Sequence, residues 1–347
     1  MKILSVGGFK GYGKSNTCLH RHWALKKIAD QIDIVNTTQD RISLFWRIAH
    51  HLFLWGIPIK LPDSTKANKK IIEMANANVY DVLWIDKGVT IFASTLQEFR
   101  KKQPNAKIIG YSPDNMVLRH NQSQQYIESI PFYDYLVTNK SYIIEDLTKL
   151  GAKNVIFVNN TFEPSFHHKY DLTLVDKLRL GGDVGFIGMW EKERCKSIVY
   201  LATHGIKVRV WGDNRWQAFK NISPNLQIED KCLFSDDYCK ALASFRINLC
   251  FLRKMNFDQQ TTRTVEIPAC GGFMLAERTK EHLNLFEEGK EAAFFSSNEE
   301  LLEMCQYYLG HENERKQIAE AGYQRCLTSD YSNEGMIRKV FKQIRII

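Results

Sequence analysis

Apolar runs of four to six residues recur along the chain, separated by longer stretches in which apolar positions return with a helical period. The runs at 2–6, 33–37, 80–85, 107–111, 133–138 and 154–158 read as buried strands, and the stretches at 15–29, 96–102 and 140–150 as helices. Strands that alternate with helices imply parallel βαβ units. Residues 159–171 keep neither period and contain Pro164, and Gly181 and Gly182 punctuate the chain again. The alternation then restarts, with strands at 183–187, 207–211, 247–252 and 273–276 and helices at 191–204, 236–244 and 261–270. The pattern predicts an α/β protein of two Rossmann-like domains, residues 1–165 and 166–330, with a last helix at about 331–347 packing back on the first. Ligands of such sheets sit beyond the carboxyl ends of the strands, so the expected site is a deep cleft between two facing domains.

The length of 347 residues, about twice a common domain, agrees with two cores, and 44% apolar residues are enough to fill them. Eight scattered cysteines form no C-x-x-C pair and no zinc-spaced cluster, so reduced thiols are expected. No apolar run approaches the length of a bilayer span, and the start of the chain reads as a strand. A cytoplasmic protein is the expectation.

Charge changes the picture only locally. The net charge is +8, and residues 1–80 hold 12 Lys/Arg against 5 Asp/Glu, a net of +7. Such a field is either a solvated face or an attraction for a phosphate or an acidic membrane. Within it, residues 42–59 (ISLFWRIAHHLFLWGIPI) read as a helix with a wide apolar face and a narrow stripe of Ser43, Arg47, His50 and His51. Two readings stand: a buried helix, or a peripheral contact with the inner face of a membrane.

Gly8, Lys10, Gly11, Gly13, Lys14 and Ser15 lie in a G-x-x-x-x-G-K-[ST] match between a strand and a helix, the setting of a phosphate-binding loop. The apolar strand ending in Asp86 resembles the one that holds magnesium in nucleotide hydrolases. This leaves a P-loop NTPase or kinase as the alternative reading, or a loop that holds an acceptor phosphate. A glycine-rich first turn is also what any Rossmann-like half requires.

Further along, a helix start carries Arg263 and, one turn in, Glu266, and Gly271 and Gly272 close the helix. An arginine at a helix start suits a diphosphate, and a glutamate just inside can accept both ribose hydroxyls. The stretch from Arg263 to about Leu327 resembles the C-terminal part of CgeB-like glycosyltransferases, a branch of the group 1, family 4-like GT-B enzymes. Residues 184–198 (VGFIGMWEKERCKSI), 208–216 (VRVWGDNRW), 111–115 (YSPDN) and 133–158 resemble other parts of the same family. The resemblance implies transfer of a sugar from a nucleotide-sugar donor bound by the C-terminal half; a non-catalytic nucleotide-sugar-binding protein stands as a further alternative. It places Glu266 on the donor ribose and Asp258, eight positions earlier, near the transferred sugar. Gly188 and Arg194, with Lys192 as the basic residue, fall on the diphosphate loop. Trp211, Gly212 and residues 231–234 fall on the loops around the base, and Gly271 and Gly272 complete the donor set. No D-x-D motif occupies a suitable loop, so no cofactor and no obligatory metal are expected; family analogy leans to retention. Asp114 is the candidate base for an acceptor hydroxyl, ahead of Asp86 and His120. The acceptor expected is a glycan, a lipid-linked saccharide or another anion, with no nucleic acid.

Overall fold

The computed structural model describes residues 1–347 and divides them into two compact units. The first comprises residues 1–11, 16–159 and 336–347. Its strands are β1 (Lys2–Gly7), β2 (Gln31–Asn36), β3 (Val82–Asp86), β4 (Lys107–Ser112), β5 (Tyr135–Thr138) and β6 (Val155–Phe157). All pair in parallel, in the order β2-β1-β3-β4-β5-β6. Successive side chains of a strand face opposite ways, and here both faces are covered. Leu4, Val6, Leu83 and Ile85 pack with Ile71 and Phe99 of helices Ala67–Ala77 and Ala93–Lys102. Ile3, Val82, Trp84 and Tyr111 pack on the other side with Leu25 of helix Thr17–Ile28. Ile337 and Phe341 of the final helix, Asn333–Gln343, lie in the same layer.

The second unit comprises residues 12–15 and 160–335. Its strands are β7 (Gly182–Ile187), β8 (Val208–Trp211), β9 (Leu226–Glu229), β10 (Phe245–Cys250), β11 (Met274–Glu277) and β12 (Ala293–Phe295), ordered β12-β11-β10-β7-β8-β9 and all parallel. Strand order reverses between β7 and β10, which leaves a crevice at their carboxyl ends. The sequence pattern did not reveal β9 and β12, of four and three residues.

Residues 42–59 do not form a buried helix. Helix Leu44–Leu54 starts where Ser43 Oγ accepts the Trp46 N–H at 3.1 Å, and of its residues only Ala49 and Phe53 are buried. Leu44 is 73% exposed, Phe45 61% and the following Trp55 80%.

Candidate active site

Gly188 and Arg263 meet at the crevice of the second unit, with Lys192 next along the chain. β7 ends at Ile187, and the next turn begins with Gly188, whose N–H donates to Trp211 O at 2.9 Å. The Arg263 Nε donates to Ile187 O, so its guanidinium crosses the end of β7 from the neighbouring helix, Arg263–Ala269. A Cβ on Gly188 would meet Arg263 Nη2 at 3.1 Å and Phe186 at 2.7 Å, so glycine alone lets the arginine approach. Lys192 is exposed at the first position of helix Lys192–Thr203, beside the same turn.

Arg194 has a different setting from a ligand-facing arginine. It is 3% exposed, and its guanidinium donates to Leu252 O and Met189 O, each at 3.2 Å, and to Phe251 O at 3.5 Å. Burial, with Arg263 nearby, pushes its pKa down to about 10, so it stays charged. It ties the turn after β7 to the chain leaving β10. Gly212 likewise serves packing: a Cβ there would lie 2.4 Å from Trp216 and 2.5 Å from Gly188 O. The ring of Trp211 is flanked by Arg209 at 4.8 Å and Lys231 at 5.8 Å. Leu233 is buried, and Phe234 is exposed.

Glu266 is 5% exposed on the helix after β10. Its Oε2 accepts the Tyr238 hydroxyl at 2.5 Å, and its Oε1 lies 3.5 Å from His167 Nε2. The His167 Nδ1 accepts the Glu163 N–H at 3.0 Å, which leaves the ring proton on Nε2, facing Glu266. Burial pushes the His167 pKa down to about 3, so the ring is neutral. Burial, and then the Glu266 charge, raise the Tyr238 phenol well above its usual range. Neither residue stood out in the sequence. His167 falls in the aperiodic stretch at 159–171, and Tyr238 in an ordinary amphipathic helix, Asp236–Ser244.

Asp258 is buried, and its N–H donates to Arg253 O at 3.2 Å, just after Phe257 in a left-handed conformation (φ 57°). Gly271 and Gly272 lie at the far end of their helix from Arg263. Their N–H groups donate to Pro268 O and Ile267 O at 2.8 and 3.0 Å, and Gly271 has φ +78°, a helix stop that favours glycine.

In the first unit, Asp114 follows β4, and Lys87 follows β3. Lys87 Nζ lies 2.6 Å from Asp114 Oδ2, and Lys87 holds a left-handed conformation (φ 66°). His120 is exposed in the short turn Arg119–Asn121. Asp86 is not open to a metal. Arg21 Nε and Nη2 grip its carboxylate at 2.5 and 3.1 Å, both side chains are buried, and the Tyr111 ring stacks 4.4 Å from the guanidinium.

The glycine-rich turn also departs from a phosphate loop. In such a loop the backbone N–H groups point inward and the Lys-Ser pair opens the helix. Here the carbonyls of Gly8, Lys10 and Gly11 converge on the Asn16 side-chain amide at 2.9, 3.3 and 3.4 Å. The Asn16 side-chain oxygen takes the Cys18 and Leu19 N–H groups, so the anion seat at the helix start is filled from within. Gly13–Ser15 form a separate 3-10 turn, and Tyr12–Ser15 group with the second unit. There Lys14 Nζ lies 3.3 Å from Asp236, and Ser15 Oγ accepts the Ser235 N–H at 2.8 Å. The NTPase alternative thus loses both its phosphate cradle and its metal ligand.

Residues 194–342 match a family model described as glycosyl transferase-like. Among solved structures, HepE from Anabaena in complex with UDP-glucose superposes with a TM-score of 0.65 at 12% identity, covering 100% of both chains. Sucrose-phosphate synthase from Thermosynechococcus elongatus gives 0.62 at 11% identity, over 99% of this chain and 98% of that one. A glycosyltransferase from Rickettsia africae gives 0.62 at 13%, over 98% and 97%. No curated protein matches the chain in sequence. The likeness to these structures establishes the fold as GT-B, and with the family match it supports an enzyme of the glycosyltransferase class.

Proposed function

We propose that this chain transfers a sugar from a nucleotide-sugar donor, held by the second unit, to a saccharide or lipid-linked acceptor, with no obligatory metal and with retention of configuration. The observation that carries this reading is the pairing of Arg263 with Glu266 on one helix at the strand-order switch, where Arg263 reaches the turn of Gly188. The leaving nucleoside diphosphate gains charge as its bond to the sugar breaks, and fixed cationic groups stabilise it. Arg263 and Lys192 are proposed to do so, and Glu266 to accept the ribose hydroxyls. Arg194, spent on backbone carbonyls, shapes the turn. Asp258 is proposed beside the transferred sugar. Asp114, once released from Lys87, is proposed to take the acceptor's proton. The same C-terminal block supports placement in the CgeB-like branch.

On the acceptor side, residues 41–62 contain no acidic residue, carry Arg41, Arg47 and Lys60, and expose Ile42, Leu44, Phe45, Ile48, Trp55 and Ile57. This supports a peripheral contact with an anionic membrane surface at the cytoplasmic face.

Nucleoside diphosphates, UDP among them, should raise the melting temperature without magnesium, and Glu266→Ala should weaken donor binding by about 2–4 kcal/mol in a folded protein, since ribose hydroxyls are left unpaired. Stabilisation by ATP with magnesium alone, or full donor affinity in folded Glu266→Ala, refutes the proposal.

A further inference from the structure

We propose that His167 and Tyr238 are positioning residues for Glu266: they fix its carboxylate by one donor on each oxygen and leave it two acceptor sites for a vicinal diol. The proposal rests on the donor reading above and assigns to that site two residues from separate segments.

A carboxylate offers about four acceptor positions. The Tyr238 hydroxyl occupies one on Oε2, and His167 Nε2–H faces one on Oε1. Two positions remain, the number a ribose diol needs.

Both donors are themselves held. The Glu163 N–H on His167 Nδ1 sets the tautomer, and the His167 N–H donates back to Glu163 O, so the ring sits in a closed turn. Phe166 packs edge-on against the imidazole, with centroids 4.6 Å apart. The Cys239 thiol donates to Phe166 O at 3.3 Å, so helix Asp236–Ser244 fixes the turn of His167 and presents Tyr238 as well. Because the imidazole is neutral, it orients the carboxylate without cancelling its charge, and Glu266 keeps its strength as an acceptor.

The prediction separates positioning from mere packing. Tyr238→Phe removes one hydroxyl and little volume; His167→Ala removes the ring donor. Tyr238→Phe should raise the donor KM about tenfold, with a smaller change in kcat, as expected for loss of a hydrogen bond to a charged group, and His167→Ala, which removes the longer 3.5 Å contact, should raise it by less. His167→Gln, whose side-chain amide nitrogen reaches toward the Nε2 position, should restore much of the loss. Binding of UDP should weaken more than binding of 2′-deoxy-UDP in both variants, because only the former uses the full diol. A packing defect would weaken both alike. If Glu266→Ala raises the donor KM while folded Tyr238→Phe and His167→Ala leave it unchanged, the positioning role is refuted and the donor reading stands. If Glu266→Ala has no effect on donor affinity, the donor reading itself falls. Should His167→Ala fail to fold, Tyr238→Phe decides the matter alone.

Discussion

The Trp216 indole Nε1 donates to Gly188 O across 3.0 Å, so a residue after β8 holds the turn that ends β7. The indole passes over residue 212, where any Cβ would lie 2.4 Å from it and 2.5 Å from Gly188 O. Gly212→Ala must therefore displace either the indole or the turn. We expect a loss of about 1–3 kcal/mol in stability, typical of overpacking, together with a weakened donor affinity. Urea unfolding and UDP titration of the same variant check both. Retained UDP binding with native stability would show that the turn is not held this way.

The buried pair of Arg21 and Asp86 and the exposed pair of Lys14 and Asp236 give predictions of opposite size. Arg21→Ala strands a buried carboxylate and should cost about 3–5 kcal/mol. Lys14, 62% exposed and paired with Asp236 near the surface, should cost at most about 1 kcal/mol when changed to alanine. Denaturant midpoints of the two variants distinguish them. An ATPase activity abolished by Lys14→Ala would overturn the assignment.

Acid should weaken the fold through a buried histidine. The His282 Nδ1–H donates to Glu277 O at 2.6 Å, its Nε2 lies 2.9 Å from Thr264 Oγ1, and burial pushes its pKa down to about 4. A depressed pKa means that the unfolded chain binds the proton more readily. Its contribution is therefore full above the ordinary value of 6.5, and is lost as pH falls from there to about 4. The slope is about 1.4 kcal/mol per pH unit for each such group. His167, also depressed by burial, adds to it over a window that runs from 6.5 down to about 3. Stability by urea at pH 7 and pH 5 should differ accordingly, and His282→Gln should flatten the dependence.

Helix Leu44–Leu54 should bind vesicles containing anionic lipid, and more weakly as salt rises. Phe45→Ser with Trp55→Ser should abolish sedimentation with such vesicles while leaving UDP binding intact, because both side chains are largely exposed and lie in the first unit. Equal sedimentation of the double variant would remove the membrane contact.

The sequence by itself determined the α/β architecture. Runs such as Val82–Asp86, apolar on both faces, can only be strands covered on both sides, and their alternation with helices forces parallel pairing. It also placed Arg263 and Glu266 on one helix, because their spacing is local. It did not reveal β9 and β12, which are too short to carry a period. It left Gly8–Ser15 open between a phosphate loop and an ordinary Rossmann-like turn, because a motif records residue types and not the direction of backbone groups; in the fold the Asn16 side-chain amide draws the carbonyls inward. The partners of Asp86 and Glu266 were also out of reach. Arg21 lies 65 residues before Asp86, and Tyr238 lies 28 before Glu266. Such pairs are made by strand order and by helices laid across a sheet, and only the folded chain brings their charges and donors within hydrogen-bond distance.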